Sequence, residues 1–417
     1  MATKISLSNI PGFCDLAFNN DTHAPTTNTY LNKVVCKTTD NQEYKVIRYD
    51  KKLLSNYLVP SFGLCRSIIV NSENQVVCFS PPKSVSSEEF IKKYPKTDTI
   101  LAMEFIEGTM INVFWEPGIG VYGGWQISTR NTVGATSSFY KSSNSITFRE
   151  MFLEALQHNN LIIEGLNKQH CYSFVLQHPK NRIVVAFDKP QLYLVGCYTI
   201  NSENVNGNVN ITVTPHSISD VKKDEAWRAS TIKFPKIYEW SSYSELIEKY
   251  ASMNTDYSIL GVVLYNVVTG ERSKIRNPVY EEVRMLRGNQ PKLQYQYICL
   301  RNQGKVGDFL KFYPENKQEF SQFRDQIHAF TTTLYENYVS CYIKKNNPLS
   351  EFTSQYKTHM FNLHKLYLED LKPGKQFITR NVVIHYVNKL HPSLLMHSLN
   401  YHMRKRVVDF TSADTNL

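Results

Sequence analysis

Hydrophobic and polar residues change their spacing along this chain. Up to about residue 288, short apolar runs alternate with turn-forming residues; beyond it, apolar positions recur at steps of three and four. The first pattern marks strands, whose side chains point to alternate faces, and the second marks helices, which bring positions i, i+3 and i+4 onto one stripe. Runs at 65–70 (CRSIIV) and 75–79 (QVVCF) are separated by Asn71-Ser72-Glu73-Asn74, which predicts a hairpin. Runs at 100–106, 109–115 and 120–128 follow, broken at Glu107-Gly108 and Pro117-Gly118. In the middle one, Met110, Asn112 and Phe114 share a face and Ile111, Val113 and Trp115 share the other. That predicts an apolar central strand of an antiparallel meander. Further strands are predicted at 172–176, 182–187, 191–200 and 260–267.

Helix starts are announced by Ser86-x-x-Glu89, Thr147-x-x-Glu150 and Ser242-x-x-Glu245. In each, a hydroxyl and a carboxylate can satisfy free backbone N–H groups of the first turn. The second box continues into a stripe of Met151, Phe152, Ala155 and Leu156. Near the end of the chain, Phe320, Phe323, Ile327, Phe330, Leu334, Tyr338 and Cys341 form a long helical stripe. Phe352, Tyr356, Met360 and Leu363 form a second, and Val383, Tyr386, Val387 and Leu390 a third. The expected organisation is α+β: a β-rich domain over 1–288 and an all-helical domain over 289–417.

Composition narrows the classes. The chain has 417 residues, 42% of them hydrophobic, with 26 Tyr, 22 Phe and 4 Trp. That is ample for a large packed core and excludes a disordered tail or a small disulfide-stapled domain. Lys and Arg number 47 against 37 Asp and Glu, a net +10, which suits a phosphate-rich partner. No apolar run reaches the about 18 residues of a membrane span, and MATKISLSNIPGF has neither the basic start nor the apolar run of a secretion signal. The eight cysteines are scattered, with no CxxC and no Cys/His ligand spacing. Reduced thiols in a cytoplasm-like compartment are expected, and structural zinc is not.

Candidate chemistry lies in an ordered series of segments: CRSIIV near 65, EFIEGTMINVF near 105, STRNTVG near 130, QHPKNRIVVAF near 180, LGVVLYN near 262 and SKIRNPVY near 275. In this order and these strand contexts, residues 55–290 resemble the covalent nucleotidyltransferase superfamily of RNA ligases, DNA ligases and mRNA capping enzymes. They are most similar to the phage-type tRNA-repair RNA ligases, chains like which also occur in large DNA viruses. Pro179-x-Asn181-Arg182-Ile183-Val184 is the most specific match. The resemblance implies a core of antiparallel sheets with flanking helices. It also implies a site where a lysine of a KxDG motif attacks the α-phosphate of ATP, an amine being a nucleophile once deprotonated.

The departures from that pattern are as informative as the matches. Glu107 and Gly108 match the acidic residue and glycine of the motif, but Phe105 stands at the lysine position, and no lysine lies between Lys96 and Lys141. Val175 and Leu260 stand where the family has glutamates that help hold a divalent metal or the ribose. Losing nucleophile and carboxylates together is at odds with metal-assisted nucleotidyl transfer. The cations persist: Arg66, Arg130, Lys274 and Arg276 match positions that grip phosphate in the family. Taken singly, Phe105 and Leu260 read as core residues, and Lys274-x-Arg276 as a solvated strand face. The order of the segments is what gives them meaning.

Other signals are weaker. Lys292, Tyr295, Tyr297 and Arg301 interleave basic and aromatic residues as single-stranded RNA binders do, and equally suit a buried hinge. His385, His391, His397 and His402 are spaced six, six and five apart, which puts them on no common helical face and predicts no metal site. Arg404-Lys405-Arg406 reads as a solvated helix end, and the final SADTNL as frayed.

Three readings follow. The first is a non-catalytic RNA- or nucleotide-binding protein, taking ATP or GTP without covalent transfer, with the helical domain open to a protein or RNA partner. The second is an active ligase or capping-type enzyme with Lys274 as an unorthodox nucleophile. The third is a scaffold or virion component. A soluble location, in host cytoplasm or virion for a viral chain, is expected for all three.

Overall fold

The computed structural model describes residues 4–18, 30–139, 146–205 and 208–404. Lys405, Arg406 and the final SADTNL lie outside them. Two compact units are present, Met1–Arg284 and Met285–Leu417.

The strands of the first unit, in chain order, are β1 (Ile5–Ser6), β2 (Leu31–Lys37), β3 (Glu43–Tyr49), β4 (Ile68–Val70), β5 (Val76–Phe79), β6 (Ile100–Glu104), β7 (Thr109–Glu116), β8 (Gly124–Ser128), β9 (His170–Gln177), β10 (Gln191–Val205), β11 (Asn208–Pro215), β12 (Ile237–Tyr238), β13 (Gly261–Asn266) and β14 (Arg272–Arg276). They make a six-stranded sheet, β1-β11-β10-β9-β7-β8, and two four-stranded sheets, β12-β6-β13-β14 and β2-β3-β4-β5. Neighbouring strands pair antiparallel throughout.

The alternation read in 109–115 divides two cores. Ile111 and Val113 join Phe174, Leu192 and Leu194 under the helix Phe148–His158, which buries Met151, Phe152, Ala155 and Leu156. Phe114 faces the other way, into the core shared with β2–β5. The hairpin at 71–74 forms as expected, with Asn74 at φ 60° and the Asn71 side chain accepting from Glu73 and Gln75 N–H. All three helix starts form, but the reciprocal capping box closes only at Thr147–Glu150. Glu245 instead accepts from the N–H and hydroxyl of Ser241, one residue upstream of the cap.

Two expectations are corrected. The run at 100–106 is no neighbour of 109–115: β6 pairs with β12 and β13, while β7 pairs with β8 and β9. The chain changes sheets at Gly108, whose φ of +148° and place 2.4 Å (as an added Cβ) from the Leu176 carbonyl admit no side chain. The stretch 182–187 is not a strand. Its N–H groups at Val184 and Val185 are taken by the Glu107 carboxylate, so they cannot feed a ladder.

The second unit is helical: Leu293–Asn302, Val306–Phe312, Lys317–Tyr338, Ser354–Leu366, Arg380–Lys389 and Pro392–Leu399. The long stripe is the buried face of Lys317–Tyr338, with Phe320, Ile327, Phe330, Leu334 and Tyr338 inside. Cys341 lies past its end, in a π-helical turn. Among the described residues no helix is long and apolar enough to cross a membrane. The cysteines are free thiols.

Gly261 opens β13 at φ +122°, and a Cβ there would come within 2.0 Å of the Ile275 carbonyl on β14. Gly261→Ala should therefore cost about 1–3 kcal/mol or more of folding stability, read as a lowered urea midpoint with unchanged slope.

Candidate functional site

A cleft of about 1210 Å³ opens in the first unit, lined by residues of both the six-stranded sheet and the sheet β12-β6-β13-β14. The floor follows from strand geometry. On β14, Arg272, Lys274 and Arg276 alternate with Ser273 and Ile275, so the three cations share a face. Register places Tyr265, Val263 and Gly261 of β13 beside them in that order. Met103 and Leu101 of β6 come next in the rows of Val263 and Tyr265. From the six-stranded sheet, Met110 and Val175, paired across β7 and β9, form part of the opposite wall.

Phe105 lies at the end of β6, lining the cleft. Lys274 Nζ sits 4.1 Å from its ring centroid and the Arg276 guanidinium 5.5 Å. An aromatic face attracts cations through its quadrupole. Arg276 also pairs with Glu281 at 2.6 Å, and Glu281 in turn with Arg284 at 2.7 Å. Lys274 and Arg66 have no such relief: among the described residues neither makes an ion pair or donates a side-chain hydrogen bond. Burial pushes the Lys274 amine down to about 5, with Arg272, Arg66, Arg276 and Lys83 adding repulsion. Burial, then Arg272, likewise lowers Arg66, to about 10.

The remaining expected site residues separate. Arg130 is not in the cleft wall; it lies over the Tyr49 ring at 4.7 Å and donates through Nε to the Arg66 carbonyl at 3.4 Å. Gly108 lines the cleft, but Glu107 does not. Its carboxylate is buried and accepts from Val184 N–H at 3.0 Å and Val185 N–H at 3.1 Å, and Tyr280 also bonds to it. Glu107, expected among the ligand contacts, turns these oxygens to the loop that follows Pro179–Asn181. Burial raises this carboxyl group, against the lowering effect of those bonds.

Val175 is in the wall, and Leu260 precedes β13; both are buried. Neither side chain offers an oxygen to a cation, and the carboxylates that do line the cleft are those of Glu104, Asp220 and Asp224. Among the described residues no group of three or more His, Cys, Asp or Glu is placed to hold a metal.

In the helical unit, the expected RNA-binding set is broken up. Tyr297 is 4% exposed and packs edge-on to Phe320 with ring centroids 4.9 Å apart. It cannot offer a face to a base, because the long helical stripe has claimed it for the core. Lys292 is exposed and Tyr295 partly so. Arg301 donates to Asn388 at 2.6 Å.

Sequence reasoning passed over Arg272, which lines the cleft, and Lys83, which is close enough to Arg276, Arg66 and Arg130 to be shifted by them. Arg272 was legible as the residue two before Lys274 on the same strand face. Nothing in the local sequence marked Lys83.

The Lys274 shift has a sign that can be measured. In the unfolded chain the amine has its ordinary value of 10.5; folded, it is held near 5. Unfolding therefore takes up a proton between these values, and stability rises with pH across that window. Lys274→Met should flatten the difference in stability between about pH 6 and about pH 9 and stabilise the protein at the lower pH, read by urea unfolding. Separately, Glu107→Ala should cost about 1–3 kcal/mol by orphaning the buried Val184 N–H and the half-buried Val185 N–H, with amide exchange accelerated at 184–185.

No protein-family model matches the chain. In sequence it is 22% identical over 331 residues to an RNA ligase of Rhodothermus phage RM378, covering 71% of this chain and 71% of the phage protein. It is 24% identical over 296 residues to an immediate-early protein ICP-46 homolog of Invertebrate iridescent virus 6, covering 67% of this chain and 61% of that protein. The chain thus spans less than two thirds of the iridovirus relative's length. An archaeal ATP-dependent RNA ligase superposes with a TM-score of 0.39 at 9% identity, over 70% of this chain and 72% of that one, a likeness too loose for comparing sites. With the ordered motifs and the antiparallel sheets that border the cleft, the viral relatives make the chain RNA ligase-like, similar to members of the covalent nucleotidyltransferase superfamily.

Proposed function

We propose that this protein binds a nucleotide or an RNA phosphate in the cleft and does not transfer a nucleotidyl group. The observation that carries this reading is the Phe105 ring at the motif position of the attacking lysine, with Lys274 Nζ 4.1 Å from it. A phenyl ring can stack or repel water, but it has no lone pair with which to displace pyrophosphate. The apolar side chains at 175 and 260 support the same reading, since they supply no oxygen ligand to a metal.

The cleft keeps the means to hold an anion. Arg66 and Lys274 line it without carboxylate partners, and a phosphate there would replace mutual repulsion with charge-assisted hydrogen bonds. Anion binding would raise the Lys274 amine back toward its ordinary value, so affinity should increase as pH falls from neutral. ATP or GTP and single-stranded RNA are the candidate ligands. The roles of Arg130 and Arg276 in this reading are to sustain the positive potential around the mouth. The helical unit, with Phe361 and Phe377 exposed, is assigned a partner-binding role, and the β-rich unit the nucleotidyltransferase-like one.

One observation favours a second reading. An amine held near 5 is uncharged at neutral pH, and an uncharged amine beside cations that attract phosphate is the chemical form of a nucleophile. In that case Lys274 itself would carry the nucleotide.

Incubation with α-labelled ATP or GTP and a divalent metal separates the two. The binding reading expects no covalent label; a stoichiometric, acid-labile adduct mapped to Lys274 would establish the second. Single-stranded RNA held by about three phosphate contacts should lose about twentyfold in affinity between about 50 and 200 mM salt, and a flat response would count against a cationic cleft. Lys274→Glu should weaken binding by about tenfold or more with an unchanged circular dichroism spectrum.

A further inference from the structure

The excess charge of the chain is concentrated in its helical unit. Residues 285–417 hold 18 Lys and Arg against 10 Asp and Glu, so they carry +8 of the net +10. Part of that excess gathers where two helices end alike. Lys317–Tyr338 and Ser354–Leu366 each run into a π-helical turn, Val339–Ile343 and Tyr367–Leu371. A lysine closes each turn: Lys344 N–H donates to the Val339 carbonyl and Lys372 N–H to the Tyr367 carbonyl, both at 2.8 Å. A second lysine follows in left-handed backbone, Lys345 at φ 55° and Lys375 at φ 53°. The two ends meet, because the Tyr342 ring of the first turn stacks on His364 at 3.9 Å between centroids, and Tyr367 continues the stack at 5.9 Å. Burial, then the charge of Lys372, lowers the His364 imidazole, which puts Lys372 beside that stack.

Helix geometry explains some of this and leaves the rest. Cations at a helix C-terminus offset the partial negative charge of its last carbonyls, which accounts for Lys344 and Lys372. It does not account for lysine in left-handed backbone, where glycine sits without steric cost and where this chain elsewhere places Asn41, Asn74 and Asn160. All four lysines are exposed, and among the described residues none makes an ion pair or a side-chain hydrogen bond. Of the acids on the second turn, Glu369 pairs with Lys365 at 3.8 Å and Asp370 is exposed. Phe377, two residues past Lys375, is 69% exposed. Free cations beside an accessible aromatic ring are what a protein uses to hold an unpaired strand, the cations taking phosphates and the ring a base. A duplex keeps its bases stacked on one another and offers none to the ring. Paired π-helical turns are also more common at binding sites than in plain scaffolding.

We propose that the two adjoining helix ends form a binding site for single-stranded RNA, in which Lys344, Lys345, Lys372 and Lys375 contact phosphates and Phe377 stacks on a base. This names the partner of the helical unit and stands independently of what the cleft of the first unit holds. An acidic protein segment could use the same lysines, but it has no planar base to set against Phe377.

Fluorescence anisotropy of the full chain with a labelled oligouridylate of about 12 nucleotides tests it, with ATP binding followed in parallel as a report on the cleft. Replacing all four lysines by glutamine should lower the slope of log affinity against log salt by about 3, at about 0.7 for each lost phosphate contact, and weaken binding at about 50 mM salt by at least about tenfold. Phe377→Ala should weaken it by about fivefold or more. Lys345→Gly combined with Lys375→Gly separates binding from structure: glycine relieves the left-handed backbone, so the thermal midpoint should rise while RNA affinity falls. A lowered midpoint with RNA affinity unchanged would make these lysines structural and overturn the proposal. A salt slope untouched by the four glutamines would overturn it too, as would RNA and ATP affinities falling together, which would put the strand in the cleft. Polyglutamate binding as tightly as the RNA, with Phe377→Ala without effect, would reassign the surface to an acidic protein. Absence of RNA binding by the wild type would refute the site whether or not ATP binds.

Discussion

Positive charge held where it has no protein partner is the constraint around which the first unit is arranged. Arg66, Arg272 and Lys274 line one cleft, and a strand face forces two of them into the same row. Burial makes each charge expensive. The responses are visible in the surroundings: the Lys274 amine is pushed far below its ordinary range, and the Phe105 ring stands against it as a weak, uncharged counterpart. A carboxylate would have neutralised the cluster and closed it to anions. An aromatic ring leaves the cluster open to an anion, whose arrival would return a proton to Lys274.

The cleft owes its shape to one abrupt transition in the chain. Glu104, Phe105 and Ile106 leave β6; Glu107 turns inward and Gly108 allows the backbone to pass against Leu176 into β7 in a different sheet. Glu107 serves this transition by binding the N–H groups of Val184 and Val185. In doing so it ties the segment between the sheets to the loop after β9. The residue that matches the acidic position of the motif in sequence is thus drawn into the packing of this junction, accepting from backbone N–H groups and from Tyr280.

Period-two alternation showed which faces of β7 would be buried, and capping boxes showed where three helices begin. The long stripe from Phe320 to Tyr338 showed a helical second unit. These features are local: they depend on side-chain direction along one element and on hydrogen bonds within one turn. The fate of 182–187 was not local. Its apolar residues suit a strand, yet a carboxylate some seventy-seven positions earlier in the chain captures its donors. The same holds for Tyr297, whose aromatic ring was ambiguous until Phe320 packed against it.

By itself the sequence determined the class of the fold, the order of its motifs and the identity of the side chains at each motif position, because these follow from residue type and spacing. It places an aromatic ring at 105 and apolar side chains at 175 and 260, where the family resemblance leads one to expect an amine and two carboxylates. Tertiary structure alone decided which charges meet. Arg66 comes from the segment before β4, Phe105 from the end of β6 and Lys274 from β14, and their electrostatic coupling exists only once the sheets are assembled. Coulombic interaction depends on distance and on the exclusion of water, and neither quantity can be read along a chain.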